Sequence, residues 1–205
     1  MPNAVGFKSE EYRGIANNSN FERKNKKIRI LCPIEKFHHK GFHIIPKLMK
    51  YLEKISVYVD FIITIDNENT HVNTSSLNSN YKSTVSYVGN QKYSQMPEFY
   101  KNCDIVFMPS VLEIFSSVCT ETLYFAKPLV VSDRSFNTDI TGPYAFYCDP
   151  YSLVSCSEAI MKAIKYIGND VYLQSSRKYI INKFGQYNNR YLKLTAVIDS
   201  ILREK

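Results

Sequence analysis

The sequence predicts an α/β fold built on a parallel, doubly wound, Rossmann-like sheet. Three observations carry this reading. Short runs that are nearly all apolar recur at 28–32, 105–108 and 129–132. Segments with apolar residues at helical spacing separate these runs. The runs do not alternate apolar with polar, which marks strands covered on both faces. Right-handed crossovers between such strands place helices on both sides of one sheet. Ligands bind such sheets beyond the carboxyl ends of the strands.

The elements follow in order. Residues 1–26 are polar and irregular, with Asn17, Asn18, Ser19 and Asn20 ahead of Arg23 and Lys24, and read as a linker or extended arm. Residues 28–32 form the first strand. Ile44, Ile45, Leu48, Met49 and Leu52 make a helical stripe over 41–53, where Pro46 is tolerable only in the first turn. The β-branched run 57–65 is a strand, and the Asn/Ser/Thr tract 66–80 a long exposed loop. Strands at 84–88, 105–108, 129–132 and 145–147 then alternate with helices at 97–102, 115–126 and 153–167. The last of these carries the stripe Val154, Ala159, Ile160, Ala163, Ile164 and Ile167. Helices at 171–184 and 188–202 complete the chain. The expected organisation is therefore an arm over 1–26, a Rossmann-like domain over 27–186 and a C-terminal helix over 187–205.

Composition bounds the function. A hydrophobic content of 44% over 205 residues excludes a wholly disordered chain. The net charge of +7 favours an anionic partner: a phosphorylated ligand, a nucleic acid or an acidic membrane face. The sixteen tyrosines have no spacing that builds a base-stacking platform, so a nucleic-acid partner rests on charge alone and is not expected. Cys32, Cys103, Cys119, Cys148 and Cys156 are odd in number and form no C-x-x-C pair. They read as buried free thiols in a reducing, cytosolic compartment. No charged-then-apolar leader pattern opens the chain. The best apolar run, 57–65, carries Asp60 and is too short to span a bilayer. His39 and His43 stand one helical turn apart with His38 beside them, but no third ligand type is fixed nearby, so no metal is expected.

The chemistry concentrates in 109–133, PSVLEIFSSVCTETLYFAKPLVVSD. A strand ends at Met108, a loop brings Glu113, and a helix begins near Phe115. Glu121 lies eight positions after Glu113, inside that helix. Between them the amides of Ser116 and Ser117 stand at a helix N-terminus, without intrahelical partners, where an anion is attracted. The plain alternative for Glu121, taken singly, is an ordinary solvated helix residue. Two carboxylates flanking an anion site can hydrogen-bond sugar hydroxyls on either side of a diphosphate, as a nucleoside-diphosphate-sugar requires.

Here the chain resembles the retaining family-4 (group 1) glycosyltransferases of GT-B fold. The resemblance rests on Pro109-Ser110, on Glu113 and Glu121 as E-x7-E, and on Pro128-Leu129-Val130-Val131-Ser132-Asp133. It extends to Pro2-Asn3-Ala4-Val5, His39-Lys40-Gly41, Tyr87-Val88-Gly89, Tyr100-Lys101-Asn102-Cys103-Asp104, Asp139-Ile140-Thr141-Gly142 and Asp149-Pro150. E-x7-E alone is a weak signal; matches in the correct order along almost the whole chain are specific. The resemblance implies that Glu113, the catalytic candidate, approaches the donor sugar and that Glu121 binds the ribose hydroxyls. It implies that Lys40 holds the donor diphosphate and that Gly89, Ser116 and Ser117 belong to the donor-binding set. Three positions depart from the family. Glu35 stands where it has a phosphate-binding Arg, so that either Lys36 substitutes or the contact is missing. Ser116 replaces a glycine, narrowing the space beside the phosphates, and Ala126 replaces another.

The resemblance further implies the C-terminal, donor-binding half of a two-domain glycosyltransferase. Such an enzyme transfers sugar from a nucleotide-sugar to a glycan or lipid-linked acceptor, as in polysaccharide biosynthesis, in the cytoplasm or at the inner face of the membrane. The acceptor half would precede Met1, and this chain by itself is not expected to transfer sugar. No cofactor or metal is expected, because lysines and a helix N-terminus neutralise the leaving diphosphate. Two alternatives stand beside this: a nucleotide-sugar-binding subunit without catalysis, favoured by Glu35 and Ser116, and a GT-B-fold sugar-nucleotide epimerase.

Overall fold

Six parallel strands form one sheet in the computed structural model, which describes residues 27–34, 37–66, 81–185, 195–196 and 199–201. The strands are β1 (Ile28–Cys32), β2 (Val59–Ile63), β3 (Thr84–Tyr87), β4 (Ile105–Met108), β5 (Leu129–Ser132) and β6 (Phe146–Cys148). Their order is β3-β2-β1-β4-β5-β6, and every adjacent pair is parallel. The arm 1–26, Glu35, Lys36, residues 67–80 of the loop and most of the expected C-terminal helix lie outside the described residues; 195–196 and 199–201 are helical.

The helices are α1 (Ile45–Lys54), α2 (Met96–Asn102), α3 (Ser117–Tyr124), α4 (Ser135–Thr141), α5 (Leu153–Ile164) and α6 (Asp170–Phe184). Alternation along each strand sorts the core into two layers. Ile30, Phe61, Ile63, Ile105, Phe107 and Val130 point to one face, where Leu48, Met49 and Leu52 of α1 and Ile160 and Ala163 of α5 cover them. Leu31, Val106, Met108, Leu129 and Val131 point to the other, under Tyr100 of α2, Cys119 and Leu123 of α3 and Ile180 of α6. Every residue of β4 and β5 is buried, as their continuous apolar runs predict. All five cysteines are free and buried. Among the described residues no helix is long and apolar enough to cross a membrane.

Several boundaries differ from the sequence expectation, each for a local reason. The segment before Ile45 is a 3-10 turn, Phe42–Ile44, and Pro46 sits at the start of α1, where its missing N–H is no loss. The strand expected over 57–65 is paired only over Val59–Ile63. The helix expected over 115–126 is α3, shorter at both ends. Ser116 is its N-cap, with extended backbone and a side chain that accepts from the Cys119 amide at 3.4 Å. At the other end the chain leaves through Ala126 at a φ of 52°. Helix α4 was not expected, because its sequence, SFNTDIT, offers only Phe136 and Ile140 to an apolar stripe.

Ala126 stands where the family resemblance implies a glycine, and its left-handed backbone is one that glycine adopts more readily. A Cβ in this conformation crowds the following carbonyl oxygen. Ala126→Gly is therefore predicted to raise unfolding free energy by about 1 kcal/mol, net of the added freedom of the unfolded chain. Urea denaturation of the two proteins checks this, and an unchanged or lower midpoint contradicts it.

Candidate functional site

The strand order reverses between β1 and β4, so the loops leaving their carboxyl ends part and open a crevice. The two loops nevertheless meet at its base. Gly41 has a φ of 72°, and a Cβ there would lie 2.4 Å from the Pro109 carbonyl oxygen. The Val111 amide donates to the His39 carbonyl at 2.7 Å. Lys40 Nζ donates to Glu113 Oε1, also at 2.7 Å, with both side chains mostly shielded from solvent. Glycine is required at 41 on two counts, backbone conformation and space. The sequence reading names Lys40 and Glu113 separately; the structure pairs them across the crevice. An ammonium has three donors, so two remain on Lys40 for an anion.

Helix α3 starts beside this pair. The amides of Ser116, Ser117 and Val118 find no acceptor among the described residues, leaving the positive end of the helix open. The Ser116 hydroxyl is turned inward, toward Met108 Sδ at 3.1 Å and the Cys119 amide. The hydroxyl is thus engaged within the fold, and the N–H of Ser116 is the polar group it leaves at the helix start. Below lies a buried polar floor. Asn137 Nδ2 donates to the carbonyl and the hydroxyl of Ser132, each at 2.9 Å. Ser132 Oγ donates to the Ser110 carbonyl, and Cys119 Sγ to Asn137 Oδ1 at 3.4 Å. This network ties the ends of β4 and β5 to α3 and α4. Asn137 was invisible as a site support because its helix was.

Glu121 lies one turn into α3 and is only 6% exposed, so it is no ordinary solvated helix residue. Tyr100 Oη donates to Glu121 Oε2 at 2.8 Å, and the Tyr93 hydroxyl makes a second hydrogen bond to the same carboxylate. Burial pushes the Glu121 carboxyl up to about 7, against the pull of the two hydrogen bonds. The Tyr93 hydroxyl is pushed up to about 12 by burial and by the Glu121 charge. The sequence reading did not single out either tyrosine; Tyr100 lies in a matched stretch, but nothing in its spacing indicates a carboxylate partner.

Gly89 follows edge strand β3, two strands from the β1–β4 crevice. Its amide donates to the Ile65 carbonyl at 3.2 Å, its φ is 76°, and a Cβ would lie 2.8 Å from Asp66 Oδ1. The glycine thus lets the chain turn back toward Tyr93 and Glu121. Lys36 lies outside the described residues. His39 stacks on Phe37, with ring centroids 5.4 Å apart, and His43 sits edge-on to Phe42 at 6.5 Å. Among the described residues no three His, Cys, Asp or Glu side chains gather to hold a metal ion.

The raised Glu121 value fixes a pH dependence of stability. Its folded-state value, about 7, lies above the ordinary value of 4.5. Its contribution is thus fully present below about pH 4.5 and is lost as pH rises through about 7. The loss amounts to about 3 kcal/mol. Glu121→Gln is predicted to remove this slope. Chemical denaturation from pH 4.5 to 8 checks it, and an equal slope in both proteins contradicts it.

A family model, glycosyl transferases group 1, matches residues 15–182. A glycosyltransferase from Rickettsia africae ESF-5 superposes with a TM-score of 0.69 at 19% identity, over 89% of this chain and 50% of that one. Sucrose-phosphate synthase from Thermosynechococcus elongatus gives 0.67 at 13%, over 87% and 46%. An α,α-trehalose-phosphate synthase (UDP-forming) from Burkholderia xenovorans, in complex with glucose-6-phosphate, gives 0.60 at 13%, over 78% and 40%. At such identities the likeness shows the fold, and the chain spans half or less of each of these proteins. No curated protein matches the chain. The family model runs through the whole series from β1 into α6, and the chain belongs to the glycosyl transferases group 1 family.

Proposed function

We propose that this chain is the donor-binding half of a retaining glycosyltransferase of GT-B architecture. The observation that carries the reading is the meeting of Lys40, Glu113 and the open N-terminus of α3 at the strand reversal, with buried Glu121 one turn further along. Lys40 and the amides of Ser116 and Ser117 neutralise the diphosphate, Glu113 approaches the donor sugar, and Glu121 takes the ribose hydroxyls. Gly89 and the loop after it border the nucleotide. Lys36, beside Glu35, is a second cation for the phosphates.

The stabilising effect is electrostatic. Charge that develops on the departing diphosphate meets donors already in place, held by the Glu113 ion pair and the loop contacts beneath it. No metal is needed for that role. One structurally similar protein is described as UDP-forming, in keeping with a nucleoside diphosphate as leaving group. The acceptor is a glycan or a lipid-linked sugar, in polysaccharide biosynthesis. A net charge of +7 suits a place at the inner, anionic face of the cytoplasmic membrane. A separate acceptor-binding domain supplies the other wall of the cleft, since the described strands fill one Rossmann-like domain. Holding the acceptor against the anomeric carbon contributes about 7–11 kcal/mol. The 205-residue chain alone should therefore hydrolyse donor slowly at most.

Calorimetry with nucleoside diphosphates and their sugars tests the site. Glu121→Ala is predicted to weaken binding by about 1–3 kcal/mol, the scale of hydrogen bonds to a charged group. Lys40→Ala should weaken a nucleoside diphosphate far more than the bare nucleoside. Unchanged affinity in the first variant removes Glu121 from the site, and equal losses for both ligands in the second place the lysine's role elsewhere.

A further inference from the structure

Glu121 is a buried carboxylate without a cation among the described residues; two tyrosine hydroxyls donate to it. A carboxylate so placed either keeps its proton or is held ionised by neutral donors. The two donors differ in kind. Tyr100 is fully buried, and its ring stacks on Phe125 with centroids 5.1 Å apart and planes 9° from parallel, which fixes the hydroxyl. Tyr93 stands at the rim, 59% exposed, on the turn that follows β3. An ionised carboxylate has about four lone-pair sites. Two tyrosines occupy about two of them and leave about two, the number a pair of neighbouring hydroxyls would use. Protonation would convert one of the remaining acceptors into a donor.

We propose that Tyr100 and Tyr93 are positioning residues that hold the Glu121 carboxylate as a fixed, ionised acceptor for the ribose diol of the donor. This rests on the donor-binding reading above and adds to it the residues that make Glu121 competent. The groups facing Glu121 directly are Tyr100 from α2 and Tyr93 from the turn before it. Around Tyr100 stand the thiols of Cys103 and Cys119. Burial pushes both thiols up to about 12, so they stay neutral, as do both tyrosines. Near neutral pH the carboxyl is thus the member of this group that titrates.

The test uses the full 205-residue chain, Tyr100→Phe and Tyr93→Phe, with calorimetry from pH 5.5 to 8.5. The probes are UDP, GDP and ADP and the 2′-deoxy counterpart of whichever binds. For the unaltered chain, affinity should rise with pH through about 7, and the ribonucleotide should bind roughly tenfold tighter than its 2′-deoxy form, the scale of one charged hydrogen bond. Tyr100→Phe keeps the ring stack and removes the hydroxyl. It should move the midpoint to higher pH and cut the ribose preference to about threefold or less, while the 2′-deoxy ligand binds nearly as before. A residue that only fills space would weaken both ligands alike and leave the midpoint in place. If Tyr100→Phe does not fold, Tyr93→Phe at the rim carries the same readout. If the unaltered chain prefers ribose and the variants keep both midpoint and preference, the positioning role is overturned and the donor-binding reading survives. If the unaltered chain binds no nucleoside diphosphate, both are overturned.

Discussion

The site depends on a missing atom. Residue 41 has no Cβ, and only for that reason can the loop after β1 lie against the Pro109 carbonyl at the end of β4. In a doubly wound sheet these two loops turn to opposite faces, so topology alone would separate them. The close approach at Gly41 brings the His39 carbonyl to the Val111 amide and the Lys40 ammonium to the Glu113 carboxylate. A side chain at 41 would push the loops apart and open these contacts together. The crevice therefore has a base tied together by direct contacts although its walls belong to segments distant in sequence.

The same base explains why two charged residues stand where solvent is scarce. Lys40 and Glu113 neutralise one another across the crevice, so neither is buried alone. Each keeps a small part of its side chain exposed at the crevice. One layer down, the Ser110 carbonyl, Ser132 and Asn137 pair polar groups at the ends of β4 and β5 that the sheet itself leaves over, while the buried Ser110 hydroxyl finds no partner among the described residues.

Much of the fold was legible because burial on both sides leaves a plain mark. Ile105–Met108 and Leu129–Ser132 are apolar almost without interruption, and they are the central strands. Glu113 and Glu121 stand out by their spacing about a helix start, and Lys40 only through the family resemblance. What the pattern could not carry was mutual arrangement. The ion pair joins residues 73 apart in sequence, and the Tyr100–Glu121 bond joins residues 21 apart. Helix α4 was hidden for another reason: it is short, and its key residue is the polar Asn137, fully buried by its hydrogen bonds rather than by apolar character. Ser116 shows a third limit: its identity does not reveal that it is the N-cap of α3, with extended backbone and a hydroxyl that serves its own helix.

A carboxyl that titrates near 7 has one further consequence, for the heat of ligand capture. Any ligand that demands the ionised form of Glu121 must expel, at neutral pH, the fraction of a proton that the free protein carries. That proton passes to the buffer, whose own ionisation enthalpy enters the measured heat. Titrations in PIPES and in Tris would then disagree in enthalpy while agreeing in affinity, and the difference would count the protons leaving one buried glutamate.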